Sequence, residues 1–146
     1  MKTLLAFLLL CIHAPLALSD CIEINGKSHC DKGGCVEING AAYCSSYENG
    51  QAVVHDGAAY CGAGQCMANN GNLYCSQFPG GGIIKNNATL WAGKGDCIVH
   101  NGNAYCASEP RGKCIVADGN VKCQGGWMRE KADRALRCQK TVGINP

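Results

Sequence analysis

Four tyrosines recur at one position of a repeated sequence frame, where each stands directly before a cysteine. Rings at a repeated strand position lie on one face of successive hairpins, and such a row can stack on the sugars of a glycan. The simpler interpretation is packing between repeats, because aromatic rings paired with aliphatic side chains stabilise sheets. Exposed rings would favour binding, and burial of all four would rule it out. The tyrosines are Tyr43, Tyr60, Tyr74 and Tyr105, with Val36, Val53, Met67 and Ile98 as expected cross-strand partners.

The frame that positions these rings is cysteine, eight residues, cysteine, with Asn-Gly or Asp-Gly at its centre. Both dipeptides favour the positive φ angles that a two-residue type I′ turn requires. The two cysteines then face each other at a non-hydrogen-bonded pair, where side chains are close together. The frame therefore predicts a β-hairpin closed by a disulfide. Its five copies run from Cys21 to Cys30, Cys35 to Cys44, Cys66 to Cys75, Cys97 to Cys106 and Cys114 to Cys123.

Two further segments match the frame with altered ends. Residues 52–61 place Ala52 opposite Cys61. Residues 82–91 place Gly82 opposite Trp91, whose ring would cover the backbone of the glycine, so Trp91 is a further candidate binding residue. The turn of this copy is expected at Asn86-Asn87, since asparagine tolerates positive φ.

The hairpins group in twos, because linkers alternate between short and long. The first hairpins of the groups start at residues 21, 52, 82 and 114, in steps of 31, 30 and 32 residues. A period in this range is typical of a repeat array, in which each unit buries its face against its neighbours.

Five frames use ten cysteines and leave Cys61 and Cys138, which we expect to bond to each other. The alternative joins Cys61 to Cys66 and leaves Cys75 to pair with Cys138. The sequence alone leaves both connectivities open.

The segment from Met128 to Lys140 contains helix-forming residues and neither glycine nor proline, so we expect a C-terminal helix at about 128–140. A mixed-charge helix is usually a solvated face, and an anion or membrane-surface site is the alternative. Its basic residues are Arg129, Lys131, Arg134, Arg137 and Lys140. The expected fold is all-β, with seven tandem hairpins and this helix. An open stack is one possible arrangement, but we favour a compact, propeller-like or barrel-like array, because it would hide strand edges.

Residues 1–19 have a lysine, an apolar run and small residues near Ser19, the layout of a secretory signal peptide. Residues 20–146 would then form a single secreted domain with twelve of the thirteen cysteines, since Cys11 belongs to the signal. So many cysteines in a short secreted chain indicate a disulfide scaffold. No later stretch is long enough to span a membrane, and the small net charge argues against a nucleic-acid partner.

The sequence contains no clear pattern of catalytic or metal-binding residues. His29, His55 and His100 lack paired ligand spacing, and cysteines in disulfides cannot ligate zinc, so neither a metal nor a cofactor is expected. No nucleophile and base pattern is present, so we do not expect an enzyme. The carboxylates that a glycosidase pair would need have no distinctive spacing; examples are Glu23, Glu37, Asp96 and Glu109.

One glycosylation sequon, Asn87-Ala88-Thr89, falls at the tip of the fifth hairpin. A turn tip is exposed, so a secreted protein could carry a glycan on Asn87.

With its signal peptide, small size and twelve paired cysteines, the chain resembles the small secreted cysteine-rich proteins of fungi, including plant-associated effectors and elicitors. This resemblance covers the whole chain and matches no family motif. It implies binding to a host or wall component and identifies no functional residue.

Three functions remain open from the sequence. The first is an extracellular binding protein for a glycan or a host protein, whose repeated weak contacts add by avidity. The second is a protease inhibitor or toxin-like protein that acts through one loop, either 45–51 or 107–113. The third is a structural component of a surface or matrix, which would self-associate.

Overall fold

A computed structural model describes residues 21–145 and shows seven antiparallel hairpins followed by an extended C-terminal segment. We number the hairpins 1 to 7 in chain order. Their strands are β1 Ile22–Ile24 and β2 Lys27–His29, β3 Cys35–Ile38 and β4 Ala41–Cys44, β5 Gln51–His55 and β6 Ala58–Gly62, β7 Cys66–Asn69 and β8 Asn72–Cys75, β9 Ile83–Asn86 and β10 Thr89–Ala92, β11 Cys97–His100 and β12 Asn103–Ala107, and β13 Cys114–Ala117 and β14 Asn120–Cys123. The expected signal peptide lies outside the described residues.

All seven turns have positive φ at both central residues, as a type I′ turn requires. The first turn residue is an asparagine or aspartate with φ between 47° and 51°. The second is glycine in six hairpins, and in hairpin 5 it is Ala88 with a φ of 59°.

The expected pairing of hairpin 5 was wrong by one residue. The turn is Asn87-Ala88, Trp91 faces Ile84, and Ala92 faces Ile83. A one-residue shift exchanges the two faces of a hairpin. The observed pairing places Ile83 and Ala92 in the buried position that a cystine occupies elsewhere, and it places Trp91 in the position of the tyrosines.

The corrected pairing reveals a strict repeat. The ten-residue frames begin at residues 21, 35, 52, 66, 83, 97 and 114, in alternating steps of 14 and 17 residues. The two-hairpin period is therefore 31 residues throughout. The linkers follow the same period, and glycines occupy their equivalent positions 33, 64 and 95.

These linker glycines allow neighbouring linkers to approach closely. A Cβ atom at Gly64 would lie 2.5 Å from the carbonyl oxygen of Gly81 and 2.6 Å from that of Phe78. The amide of Gly64 donates a hydrogen bond to the carbonyl of Ser76, at 3.0 Å. The linkers thus form a second repeated set of backbone contacts at the edge opposite the turn tips.

The core is formed mainly by small and aliphatic side chains from the second strands of hairpins 2 to 6. Because side chains alternate along a strand, the closing cystine and the residue two positions before it point to the same side. That side packs against the preceding hairpin: a Cβ at Gly62 of hairpin 3 would lie 2.4 Å from Cys75 Cβ of hairpin 4. The buried alanines, leucines and cysteines of these strands are Ala42, Cys44, Ala59, Leu73, Cys75, Leu90, Ala92, Ala104, Cys106 and Ala107.

The expected C-terminal helix was wrong. Residues 127–144 instead form an extended strap that runs back along the array and pairs with the second strand of one hairpin after another. Its strands β15 Trp127–Met128, β16 Glu130–Lys131, β17 Asp133–Arg134 and β18 Leu136–Arg137 pair with hairpins 6, 5, 4 and 3. Single bridges then join Lys140 to Tyr43 of hairpin 2 and Ile144 to Ser28 of hairpin 1.

Backbone hydrogen bonds with a three-residue period explain why the strap is extended. The amides of residues 132, 135, 138 and 141 donate to the carbonyls of Leu90, Leu73, Ala59 and Ala42, at 2.8–3.0 Å. Helix propensity differs among ordinary residues by at most about 0.7 kcal/mol each. Pairing with open strand edges therefore outweighs the local preference.

The array is open. Each hairpin belongs to its own sheet of two or three strands, and within residues 21–145 hairpins 1 and 7 are not joined by strand pairing. The barrel-like closure considered from the sequence is not formed. The strap pairs with the second strands of hairpins 1 to 6 without closing a ring.

Within residues 21–145 there are six disulfides: the five hairpin clasps and Cys61–Cys138. The clasp cysteines have Cα–Cα distances of 3.9–4.3 Å, as expected at non-hydrogen-bonded pairs. Cys61–Cys138 joins the strap to hairpin 3 across 77 residues.

Ala88 provides a test of the turn assignment. Ala88→Gly should stabilise the protein by about 0.5–1 kcal/mol, because it removes a left-handed alanine from the turn. The matched control Ala58→Gly, just after the turn of hairpin 3 and outside the positive-φ set, should destabilise it by about 0.5–1 kcal/mol. Guanidinium unfolding of the oxidised proteins measures both, and equal losses would contradict the assignment.

Replacing Cys61 and Cys138 together by serine should loosen the strap. The chain-entropy model gives about 4 kcal/mol for so long a loop, against about 2–3 kcal/mol for one clasp. Hydrogen exchange should rise throughout residues 132–144. The control, Cys21→Ser with Cys30→Ser, should increase exchange mainly in hairpin 1, and an unchanged strap in the first variant would show that pairing alone holds it.

Candidate binding face

Five aromatic side chains occupy the same position in hairpins 2 to 6. Each pairs across its hairpin with an aliphatic residue, and each is half-buried. The rings therefore pack between hairpins and still reach the solvent, so burial does not remove them as binding residues. They are Tyr43, Tyr60, Tyr74, Trp91 and Tyr105.

The strap places a basic residue directly opposite each of the first four rings. The pairs are Tyr43 with Lys140, Tyr60 with Arg137, Tyr74 with Arg134 and Trp91 with Lys131. Directly opposite residues of an antiparallel pair project on the same side of the sheet. We call this set, together with Tyr105, Trp127 and Arg129, the aromatic–basic face.

Cation–π contacts join rings and cations at two places on the face. The guanidinium carbon of Arg137 lies 5.3 Å from the ring centre of Tyr60. That of Arg129 lies 4.9 Å from the ring centre of Trp91 and 5.9 Å from that of Trp127. Such contacts contribute about 0.5–1 kcal/mol at exposed sites.

A ring contact and a hydrogen bond order the end of the face at hairpins 5 and 6. The ring centres of Trp127 and Tyr105 are 5.2 Å apart in an edge-to-face arrangement at 80°. The Nη1 group of Arg129 also donates to the carbonyl of Ala104, at 3.3 Å. This end is an ordered aromatic cluster with 56% of the Trp127 surface exposed.

Clefts lie beside the face. One of about 180 Å³ separates hairpins 4 and 5, and Tyr74, Leu90 and Lys131 line it. A larger groove of about 460 Å³ runs between the strap and the linker of residues 45–50, lined by Tyr47, Arg137 and Lys140 among others. Of the residues of the face, Tyr74, Lys131, Arg137 and Lys140 thus border concave surface.

His55 and His100 belong to a ladder of side chains at the turn tips. The residue before each turn in hairpins 3 to 6 bonds to the carbonyl of the second turn residue of the next hairpin. These contacts are His55 Nε2 with Gly71 at 3.1 Å, Asn69 Nδ2 with Ala88 at 3.1 Å, Asn86 Nδ2 with Gly102 at 3.0 Å, and His100 Nε2 with Gly119 at 3.2 Å. The two histidines therefore link hairpins.

The other residues considered from the sequence are dispersed. His29 Nδ1 lies 3.0 Å from the carbonyl of Thr141. Glu23 and Glu37 are exposed on the first strands of hairpins 1 and 2, and Asp96 pairs with Lys113 at 2.6 Å. Glu109 is exposed in a linker. Asn87 is exposed at its turn tip, where the sequon predicts glycosylation.

Among residues 21–145, no group of three His, Cys, Asp or Glu side chains is arranged to hold a metal ion. The same part of the chain contains no helix of the length and apolarity needed to cross a membrane.

Sequence analysis missed Trp127 and the role of the strap cations. A signal was present: Lys131, Arg134, Arg137 and Lys140 recur every three residues, which fits neither the 3.6-residue helix nor the two-residue strand period. That spacing equals the advance of the strap from one hairpin to the next.

The ladder at the turn tips predicts a difference between two substitutions of one histidine. His100→Asn should leave stability nearly unchanged, because Asn69 and Asn86 make the same contact in their hairpins. His100→Ala should cost about 0.5–1 kcal/mol, the usual contribution of such a bond. Thermal unfolding of both oxidised variants measures this, and equal losses would show that the contact contributes nothing.

Comparisons of this chain with protein-family models, with curated proteins and with solved structures found no match.

Proposed function

We propose that this protein is a secreted, non-catalytic binding protein that recognises an extended extracellular glycan along its aromatic–basic face. The observation that carries the proposal is the repetition of one ring and one cation, in register, on consecutive hairpins. A repeated site suits a repeated ligand.

The disulfides support a function outside the cell. Six of them in a small β-rich chain are consistent with a secreted cysteine-rich protein, because disulfides persist in oxidising compartments. The resemblance to small secreted cysteine-rich proteins of fungi, effectors and elicitors among them, points to the same setting, with a wall or host component as ligand.

The packing of the rings supports binding to a polymer. Each ring is held against an aliphatic partner, for example Tyr60 against Val53, so little side-chain freedom is lost when a ligand binds. Each site alone would bind weakly. Linked sites add their contributions, since every contact after the first is intramolecular.

The dispersed placement of the carboxylates considered from the sequence supports a non-catalytic role. A glycosidase of the common type needs two carboxyl groups about 5–10 Å apart across the scissile bond. Glu23, Glu37, Asp96 and Glu109 lie on four different elements, and Asp96 is engaged by Lys113.

The test is retention of the oxidised protein on insoluble wall polysaccharides, compared with a reduced and alkylated sample. Tyr60→Leu combined with Tyr74→Leu keeps aliphatic packing and removes two adjacent rings. We expect the pair to weaken binding at least about tenfold, equivalent to about 1.4 kcal/mol.

The control is Phe78→Leu, which removes an aromatic side chain on a linker; the cleft that it lines contains no residue of the strap or of the aromatic row. It should change affinity less than about twofold, or about 0.4 kcal/mol. Retention that survives both the tyrosine pair and reduction would contradict the proposal. Failure to bind any polysaccharide would shift the search to a protein partner.

A further inference from the structure

We infer that the ligand of the aromatic–basic face is an acidic glycan, a chain whose sugars carry carboxylate or sulfate groups. This inference rests on the proposed function and specifies the class of glycan. The observation behind it is the placement of the strap charges: the cations lie opposite the rings of their hairpins, and no strap carboxylate forms an ion pair with them within residues 21–145.

The register of the strap separates its charges. Arg137, Arg134 and Lys131 lie opposite aromatic residues, whereas Asp133 and Glu130 lie opposite Cys75 and Ala92. Neighbouring strand residues project to opposite sides. The acidic side chains are therefore directed away from the rings of their own hairpins.

The strap cations remain available to an anion. Lys131, Arg134, Arg137 and Lys140 are exposed, and the one side-chain hydrogen bond among them within residues 21–145 joins Arg134 Nη2 to the neutral Asn72 Oδ1. The ion pairs of the described chain are His55–Asp56 and Lys113–Asp96, and neither involves the strap. Glu130 accepts a hydrogen bond from Gln77 at 3.1 Å. The positive charge beside the rings is thus not neutralised by a bonded carboxylate.

Guanidinium groups suit carboxylate and sulfate because they donate two parallel N–H hydrogen bonds. Arg137 lies over Tyr60, and Arg129 lies near both Trp91 and Trp127. Ring stacking is compatible with donation from the edge of the guanidinium plane. An aromatic ring and an adjacent cation together match a sugar with an apolar face and an acidic substituent.

The spacing extends this match along a chain. One cation accompanies each ring from hairpin 2 to hairpin 5, and the Arg129 cluster continues the row at hairpins 5 and 6. A neutral glycan would engage the rings but gain no charge-assisted hydrogen bonds from the exposed cations, which an acidic glycan would gain.

The experiment compares polygalacturonate with the same polymer after full methyl esterification, which keeps the sugar backbone and removes the charge. Affinity of the full oxidised protein is measured for both by calorimetry at two salt concentrations. We expect at least tenfold tighter binding to the acidic form, and weaker binding at higher salt because mobile ions screen exposed charges.

Arg134→Gln combined with Arg137→Gln should reduce binding to polygalacturonate at least tenfold and flatten its salt dependence. The control is Lys85→Gln combined with Lys94→Gln, two exposed lysines outside the strap. It removes the same net charge and should change affinity less than threefold. Circular dichroism and intact mass of each variant establish that the fold and six disulfides are retained.

The outcomes separate the two proposals. Equal binding to both polymers would overturn the acidic class and leave the glycan-binding function standing. Binding to neither polymer while insoluble neutral glucans retain the protein would likewise overturn only the acidic class, and absence of binding to every polysaccharide would overturn both. Binding to poly-L-glutamate as tight as binding to polygalacturonate, or tighter, would show that the face recognises charge and not sugar. The same result with single-stranded oligothymidylate would show that it recognises stacked bases, and either result would overturn the inference.

Discussion

The structure depends on hydrogen bonding between one extended strap and the open edges of the hairpins. A two-stranded hairpin is marginal in water, and a stack of them presents a row of unpaired backbone groups. The amides of residues 132, 135, 138 and 141 bond to hairpins 5, 4, 3 and 2 in turn. The clasps stabilise each unit, and the strap joins the units to one another. It also brings the basic residues beside the rings, so the same backbone contacts hold the fold and assemble the candidate site.

The hairpins could be predicted because each is encoded within ten residues. The Asn-Gly and Asp-Gly turns and the paired cysteines determine pairing locally, and the register of six hairpins follows from them. Hairpin 5 lacks both signals, and its register is determined by burial of Ile83 and Ala92. The strict 31-residue period would have placed it correctly, since the frames on either side define where it must begin.

The strap could not be predicted from local preference because its partners are distant in sequence. Met128 pairs with Cys106, whereas Arg137 pairs with Tyr60, so each step along the strap reaches further back. Alanine, arginine, glutamate and lysine favour a helix when nothing competes. Here the competing partner is a row of strand edges. Only part of the candidate site could therefore be predicted from the sequence. The row of tyrosines was evident, but the basic residues were assigned to a helix, where they would not have been adjacent to the rings.

The strap advances three residues per hairpin, so the length of the strap must match the number of hairpins that it pairs with. Duplication of one 31-residue unit would add two hairpins. The strand edges of these hairpins would be unpaired unless the strap also became longer by three residues for each added hairpin. Ordinary repeat arrays grow by tandem duplication alone, because every unit meets only its neighbours. This protein would need two matched changes at separate places in its gene. Array size is therefore resistant to drift.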